Sequence, residues 1–199
     1  MKKTVCFLII MFCAVQLLFA QKTTFSDSFN DNHNKWGIYN NKKASYIIYN
    51  GKYIMDIADS LIYDSGIPVT IDTSKNFSIS AIAMHSDGSD TYGFGLYFGA
   101  SDISNYYVFV ITANGYFRLC KSTPAAYKCL IDWTASPAIK TGSYIENKLQ
   151  IMKNGSDWKL MINDQLVSTI PSMPFMGNQI GFNTTATQRV EFDDLTVTQ

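Results

Sequence analysis

The sequence predicts an all-β fold, a sandwich or barrel of antiparallel strands, on three observations. Between Phe77 and Trp133, five aromatic-rich runs alternate with a period of two: FSISAIAMH, TYGFGLYFG, NYYVFVI, GYFRLCK and YKCLIDW. Turn sequences such as Asn50-Gly51, Asn114-Gly115 and Asn154-Gly155 separate strand-length segments. No stretch of helical length carries apolar residues at a 3.6-residue period, so helices have no pattern on which to form.

The chain opens on an expected export signal, residues 1–20. Lys2 and Lys3 precede an apolar run from Val5 to Phe19, and small Ala20 comes before polar Gln21, which places the cut between Ala20 and Gln21. The run is short for a spanning helix, and neither Cys6 nor Cys13 stands where a lipid-anchoring cysteine follows a cleavage site. Residues 21–199 are then a single domain, exported to the periplasm or the extracellular surface, with a bacterial character to its Lys-Lys start. Of 199 residues 179 remain, enough for one substantial core. Loss of two lysines leaves 14 basic against 16 acidic side chains, a net of −2. No basic run stands out and no second apolar segment nears membrane length, which argues against nucleic acid or a membrane as partner.

In order, Thr24 to Phe29 reads as a strand, and the Asn/Asp/Lys-rich segment after it as a loop. Ser45 to Asn50 and Gly51 to Asp59 form a hairpin about Asn50-Gly51, a dipeptide that accepts the positive φ angles of a type I′ turn. Leu61 to Tyr63 and Ile67 to Ile71 read as two short strands split by Asp64-Ser65-Gly66, the second starting at a sheet edge because of Pro68. After the central runs, Thr134 to Pro137 is a break. NKLQIMK, DWKLMIN, QLVSTI, Gln179 to Asn183 and Arg189 to Thr198 then complete the strands. There is neither an internal repeat nor a linker.

The central turns allow a register. With Asn114-Gly115 as a two-residue I′ turn, Ala113 faces Tyr116, Ile111 faces Arg118 and Phe109 faces Cys120. Cys129 falls opposite Cys120 on the next strand if the Thr123-Pro124-Ala125-Ala126 loop closes that hairpin. These are the only cysteines left after the signal, and an even pair in an exported chain favours a disulfide, worth roughly 2–3 kcal/mol on a chain-entropy argument. If the five strands pair in sequence order, Ile82, Met84, Tyr92, Phe94, Leu96, Phe98, Tyr106, Val108, Val110, Phe117, Leu119 and Leu130 share the core face. The opposite face collects Ala81, Ala83, Gly93, Gly95, Tyr97, Tyr107, Phe109, Ile111, Tyr116, Arg118, Tyr127 and Trp133. Small residues at one end and aromatics with an arginine at the other describe a trough with a stacking wall, the kind of surface on which sugar rings lie. Its candidate ligand-binding residues are Tyr97, Tyr107, Arg118, Tyr127 and Trp133. Either this face is open and binds, or loops and N-terminal strands cover it as a second core layer.

The residues also resemble a known group. YGFGLYFGASDISNYYVFVITANGYFRLCK, DWTASPAIKTG, NKLQIMKNGSDWKLMINDQLV, IGFNT and VEFDDLTV are similar to the concanavalin A-like lectin/glucanase (laminin G-like) domains, and most to bacterial exported domains related to the 3-keto-disaccharide hydrolases. The resemblance spans nearly all of residues 24–198 and rests on structural motifs. It implies a two-sheet antiparallel jelly-roll sandwich and carbohydrate as the ligand class.

Glucanases of that group act through paired glutamates spaced ExDxE or ExDxxE, because retaining hydrolysis needs two carboxyls about 5 Å apart. This chain has only Glu146 and Glu191, without such flanks. The two histidines, His33 and His85, read as solvated loop residues, and no catalytic triad or metal set can be assembled from them. No cofactor is expected. Calcium is the one cation with oxygen-rich loops to receive it, Asp27 to Asp31 and Asp87-Gly88-Ser89-Asp90, and neither has EF-hand spacing. The leading expectation is an exported non-catalytic module that binds glycan or serves adhesion. The alternatives are a glycoside-active enzyme using Asp132 and Arg118, and a structural or protein-interaction domain.

Overall fold

A computed structural model describes residues 22–199; the expected export signal lies outside the described residues. The N-terminal strands are β1 (Thr23–Asp27), β2 (Tyr39–Asn40), β3 (Ala44–Tyr49), β4 (Lys52–Ile57) and β5 (Ile62–Pro68). The central ones are β6 (Phe77–Gly88), β7 (Phe94–Asp102), β8 (Asn105–Ile111), β9 (Tyr116–Thr123) and β10 (Ala126–Ala135). The last are β11 (Glu146–Asn154), β12 (Asp157–Ile162), β13 (Gln165–Pro171), β14 (Gln179–Thr185) and β15 (Gln188–Thr198). No helix occurs among the described residues.

Two antiparallel sheets form a sandwich. One runs β13-β12-β11-β6-β15-β4-β3-β2, with β1 also pairing β15; the other runs β10-β9-β8-β7-β14-β5. Each presents its alternate residues to a shared core, as period-two strands must when two sheets stack. Two expectations about strand pairing are corrected. β5 is one continuous strand through Asp64-Ser65-Gly66, held along its length by β14. β6 does not pair with β7; it lies between β11 and β15. The central stretch is thus divided between the sheets. In β6 Phe77, Ile79, Ala81 and Ala83 are buried against the core, whereas Ile82 and Met84 are half-buried on the other side.

Aromatic side chains fill the interior. Trp36 stacks on Phe182 at 5.3 Å between centroids, and Phe182 stacks on Phe192 at 4.1 Å. Such pairs add about 0.5–1.5 kcal/mol each beyond their area burial. Trp36 enters from the polar segment after β1 because buried Asp27 anchors it. Asp27 Oδ2 accepts from Trp36 Nε1 (2.7 Å) and Asn34 Nδ2 (2.7 Å), while Oδ1 accepts from the Phe29 amide (2.8 Å). A segment polar in composition is therefore pinned by one tryptophan that carries the burial.

Candidate functional site

The outer face of the six-stranded sheet takes its residue set from one turn. The Thr112 carbonyl accepts from the Gly115 amide (3.1 Å), and the Thr112 amide donates to the Tyr116 carbonyl (2.8 Å). Gly115 has φ +101°, whereas Asn114 is not in the positive-φ region. This is a type I turn followed by a glycine bulge rather than a two-residue I′ turn. One extra residue enters the loop, so Ile111 pairs with Phe117, Val110 with Arg118 and Val108 with Cys120. A one-residue slip moves every side chain of a strand to the other face. β8 is therefore inverted relative to the sequence-based register.

Tyr107 is the site residue this removes. It is fully buried in the core with Phe109 and Ile111, 5.0 Å from Trp158 between centroids, and its hydroxyl donates to the Pro174 carbonyl (3.1 Å). Tyr106, Val108 and Val110 occupy the outer face instead. With Tyr97, Ala100 and Cys120 they form a second apolar cluster, against which Cys129 packs. Tyr97 lies on the outer face as expected but is closed off, 3% exposed, with Tyr106 at 5.3 Å. The middle of the face is thus closed, and its β9–β10 end is open.

At that open end Arg118, Tyr127 and Trp133 come together. The Arg118 guanidinium lies 4.4 Å from the Trp133 ring centre and 5.9 Å from that of Tyr127. Two bulges in β10, between Cys129 and Ile131 and between Ile131 and Thr134, advance the register by one residue each. Together they restore the strand's phase after Ile131 has turned inward, so both aromatics stand on Arg118's side. The Cys120–Cys129 disulfide cross-links directly opposed positions and ties this edge strand to β9. Tyr127 and Trp133 remain 44% and 40% exposed. A cleft beside Trp133 is lined by Thr91, Thr112, Asn114 and Tyr116. Sequence reasoning missed it as a unit because Thr91 comes from a separate loop.

At the far side of the same sheet, Asn183 Nδ2 donates to Asp64 Oδ1 (2.7 Å). Burial pushes the Asp64 carboxyl up to about 6 despite that bond. Burial likewise raises the Tyr97, Tyr106 and Tyr127 hydroxyls.

The remaining candidates separate. Asp132 is exposed on β10. His85 is not a solvated loop residue: it is buried at 1% exposure, stacked 6.0 Å from Phe94, and burial lowers its pKa. Glu146 and Glu191 both pair across β6 with Met84, on the sheet opposite the candidate site. Glu146 binds Lys52 (2.9 Å) and Glu191 lies 3.8 Å from Arg189. Among the described residues, no group of three or more His, Cys, Asp or Glu could hold a metal ion.

No protein-family model matches the sequence, and no curated protein matches it. Solved structures do. The chain is similar to the carbohydrate-binding module CBM66 from Bacillus subtilis, at 16% identity and a TM-score of 0.54, over 89% of this chain and 97% of that one. A protein of unknown function with a galectin-like fold, also from Bacillus subtilis, aligns at 11% identity and a TM-score of 0.65, over 90% and 98%. The catalytic domain of an endo-1,3-beta-glucanase (laminarinase) from Thermotoga petrophila RKU-1 aligns at 11% identity and a TM-score of 0.61, again over 90% and 98%. The fold is a concanavalin A-like jelly roll. At these identities the likeness extends to architecture alone, and the Arg118 group belongs to this chain's own argument.

Proposed function

We propose that this is an exported, non-catalytic module that binds carbohydrate at the β9–β10 end of the outer face. The carrying observation is the exposed group of Tyr127, Arg118 and Trp133 beside a mostly apolar cleft with Thr91, Asn114 and Tyr116 in its lining. Pyranose rings present apolar C–H faces to aromatic rings and hydroxyls to polar side chains, and this surface offers both on a rigid sheet. Two of the similar structures, a carbohydrate-binding module and a glucanase catalytic domain, act on the same ligand class. The disulfide suits an oxidising compartment.

Carboxylate placement at this site favours binding over hydrolysis. On its sheet Asp132 and Asp64 belong to β10 and β5, the two edges, on the order of 24 Å apart at the usual strand spacing, where paired-carboxyl glycosidases need about 5–9.5 Å. The closer carboxyls, Glu146 and Asp193, share Lys52 on the other sheet. The test is titration calorimetry and affinity electrophoresis against a polysaccharide panel. Wild type binds at least one glycan without releasing reducing ends, and Trp133→Ala weakens binding at least tenfold, about 1.4 kcal/mol. A wild-type protein that binds no glycan, or a Trp133→Ala variant that binds equally well, defeats the reading.

A further inference from the structure

Arg118 is a cation without an anion. Its Nε is out of contact with solvent and has no hydrogen-bond partner, and the guanidinium takes part in no ion pair among the described residues. A charge leaves water cheaply only when something compensates it, and two aromatic faces compensate in part. Lys121 and Lys128, the other cations of the β9–β10 hairpin, oppose each other on the inner side of the sheet, where Lys121 Nζ lies 5.5 Å from the Tyr107 ring centre, so Arg118 is the hairpin's cation on the outer face.

The planar fork of the guanidinium selects the anion that suits it. The guanidinium carbon lies 4.4 Å from the Trp133 ring centre and 5.9 Å from that of Tyr127, so an acceptor reaching Arg118 meets it between two aromatic rings. A carboxylate does this with two parallel N–H···O bonds, whereas a lone hydroxyl supplies one acceptor. Resting on the glycan-binding reading above, we infer that the β9–β10 end recognises a uronic acid residue: Arg118 takes the sugar carboxylate in the slot between Tyr127 and Trp133, and the ring extends over the Thr91–Asn114–Tyr116 cleft.

The experiment compares polygalacturonate, alginate and hyaluronan, each with its carboxyl-reduced neutral derivative, and dextran sulfate as a purely electrostatic control. Binding is read by calorimetry at two salt concentrations. We expect at least one uronate polymer to bind, its neutral derivative to bind at least tenfold more weakly, and dextran sulfate to bind more weakly than the uronate. Arg118→Lys, which keeps the charge and loses the fork, is expected to lose at least tenfold, and Arg118→Gln more. If Arg118→Gln does not fold, the wild-type comparison of acidic with neutral polymers still decides. Equal affinity for acidic and neutral polymers, or glycan binding indifferent to Arg118→Gln, overturns the carboxylate assignment while the glycan-binding face stands. Binding of dextran sulfate as tight as any uronate overturns it too. Absence of binding to every polymer tested removes both readings together.

Discussion

The two faces of the six-stranded sheet draw on the same residues and do opposite work. On the inner face Phe94, Leu96, Phe98, Tyr107, Phe109, Ile111, Phe117 and Leu119 are all at most 2% exposed. On the outer face exposure rises from the closed Tyr97–Tyr106–Val108 cluster to the open aromatics of β10. β8, NYYVFVI, is apolar on both sides and is buried at every position but the first. Such a strand carries no internal mark of which side faces the core. Two tyrosines that sequence reasoning put together, Tyr107 and Tyr127, end on different faces, one as packing and the other as exposed surface.

The largest expected effect tests the inner assignment. Tyr107→Ala empties a site packed against Phe98 and Trp158 and deletes the hydroxyl's bond to Pro174. By analogy with other large aromatic truncations it costs about 3–5 kcal/mol, read from urea unfolding. Glycan affinity per folded molecule stays unchanged. A cost below about 1 kcal/mol with loss of binding would return Tyr107 to the outer face.

Next in size is a titration on the outer face. The Asp64 carboxyl titrates at about 6 in the fold against 3.8 as its ordinary value. Its folded-state pKa is raised, so its favourable contribution is complete below 3.8 and is lost as pH rises through 6. Above that the half-buried carboxylate costs at most about 3 kcal/mol, at 1.36 kcal/mol per pKa unit and less whatever solvent screens. Asp64→Asn is therefore expected to stabilise the protein at pH 7.5, with the gain shrinking as pH falls from 6 toward 4. His85 works in the opposite sense: its lowered pKa removes stability as pH falls below 6.5, so the mutant-minus-wild-type difference isolates Asp64. A gain independent of pH would place Asp64 in contact with water.

How much of this was legible depends on what each turn answers to. Asn50-Gly51 and Asn114-Gly115 are the same dipeptide between strands. At the first, both residues have positive φ, 56° and 71°, and the hairpin closes Tyr49 on Lys52 as an I′ turn should. The second is held by parts of the chain that no local pattern contains. The Asn114 amide donates to the Asp90 carbonyl, the Ser136 amide to the Gly115 carbonyl and the Gly142 amide to the Ala113 carbonyl. Thr112 Oγ1 closes the loop from inside, accepting from the Tyr116 amide (3.1 Å) and donating to Asn114 Oδ1 (2.6 Å). Strand existence, the all-β class and the Cys120–Cys129 bond were legible because they depend on local period and on a count of two. The inversion of β8, the transfer of β6 to the other sheet and the burial of His85 were not, because each is decided by contacts distant in sequence. Arg118, Tyr127 and Trp133 still fell on one face because the slip changed β8 alone, and the two bulges of β10 cancel.

That cancellation makes Tyr127→Ala the smallest expected effect on stability. Tyr127 is nearly half exposed on an edge strand, and the Cys120–Cys129 bond continues to hold β10 to β9 without it. The loss is one side of the Arg118 stack, at 5.9 Å from the ring centre, worth about 0.5–1 kcal/mol at an exposed site. Thermal unfolding should therefore shift by only a few degrees. Glycan affinity should fall at least tenfold, because Tyr127 supplies one of the two exposed aromatic surfaces beside Arg118. Tyr107→Ala and Tyr127→Ala then form a crossed pair, one losing stability and keeping affinity, the other the reverse. If both variants lost stability alike, the β9–β10 end would be core rather than surface, and the division between the two faces would fail.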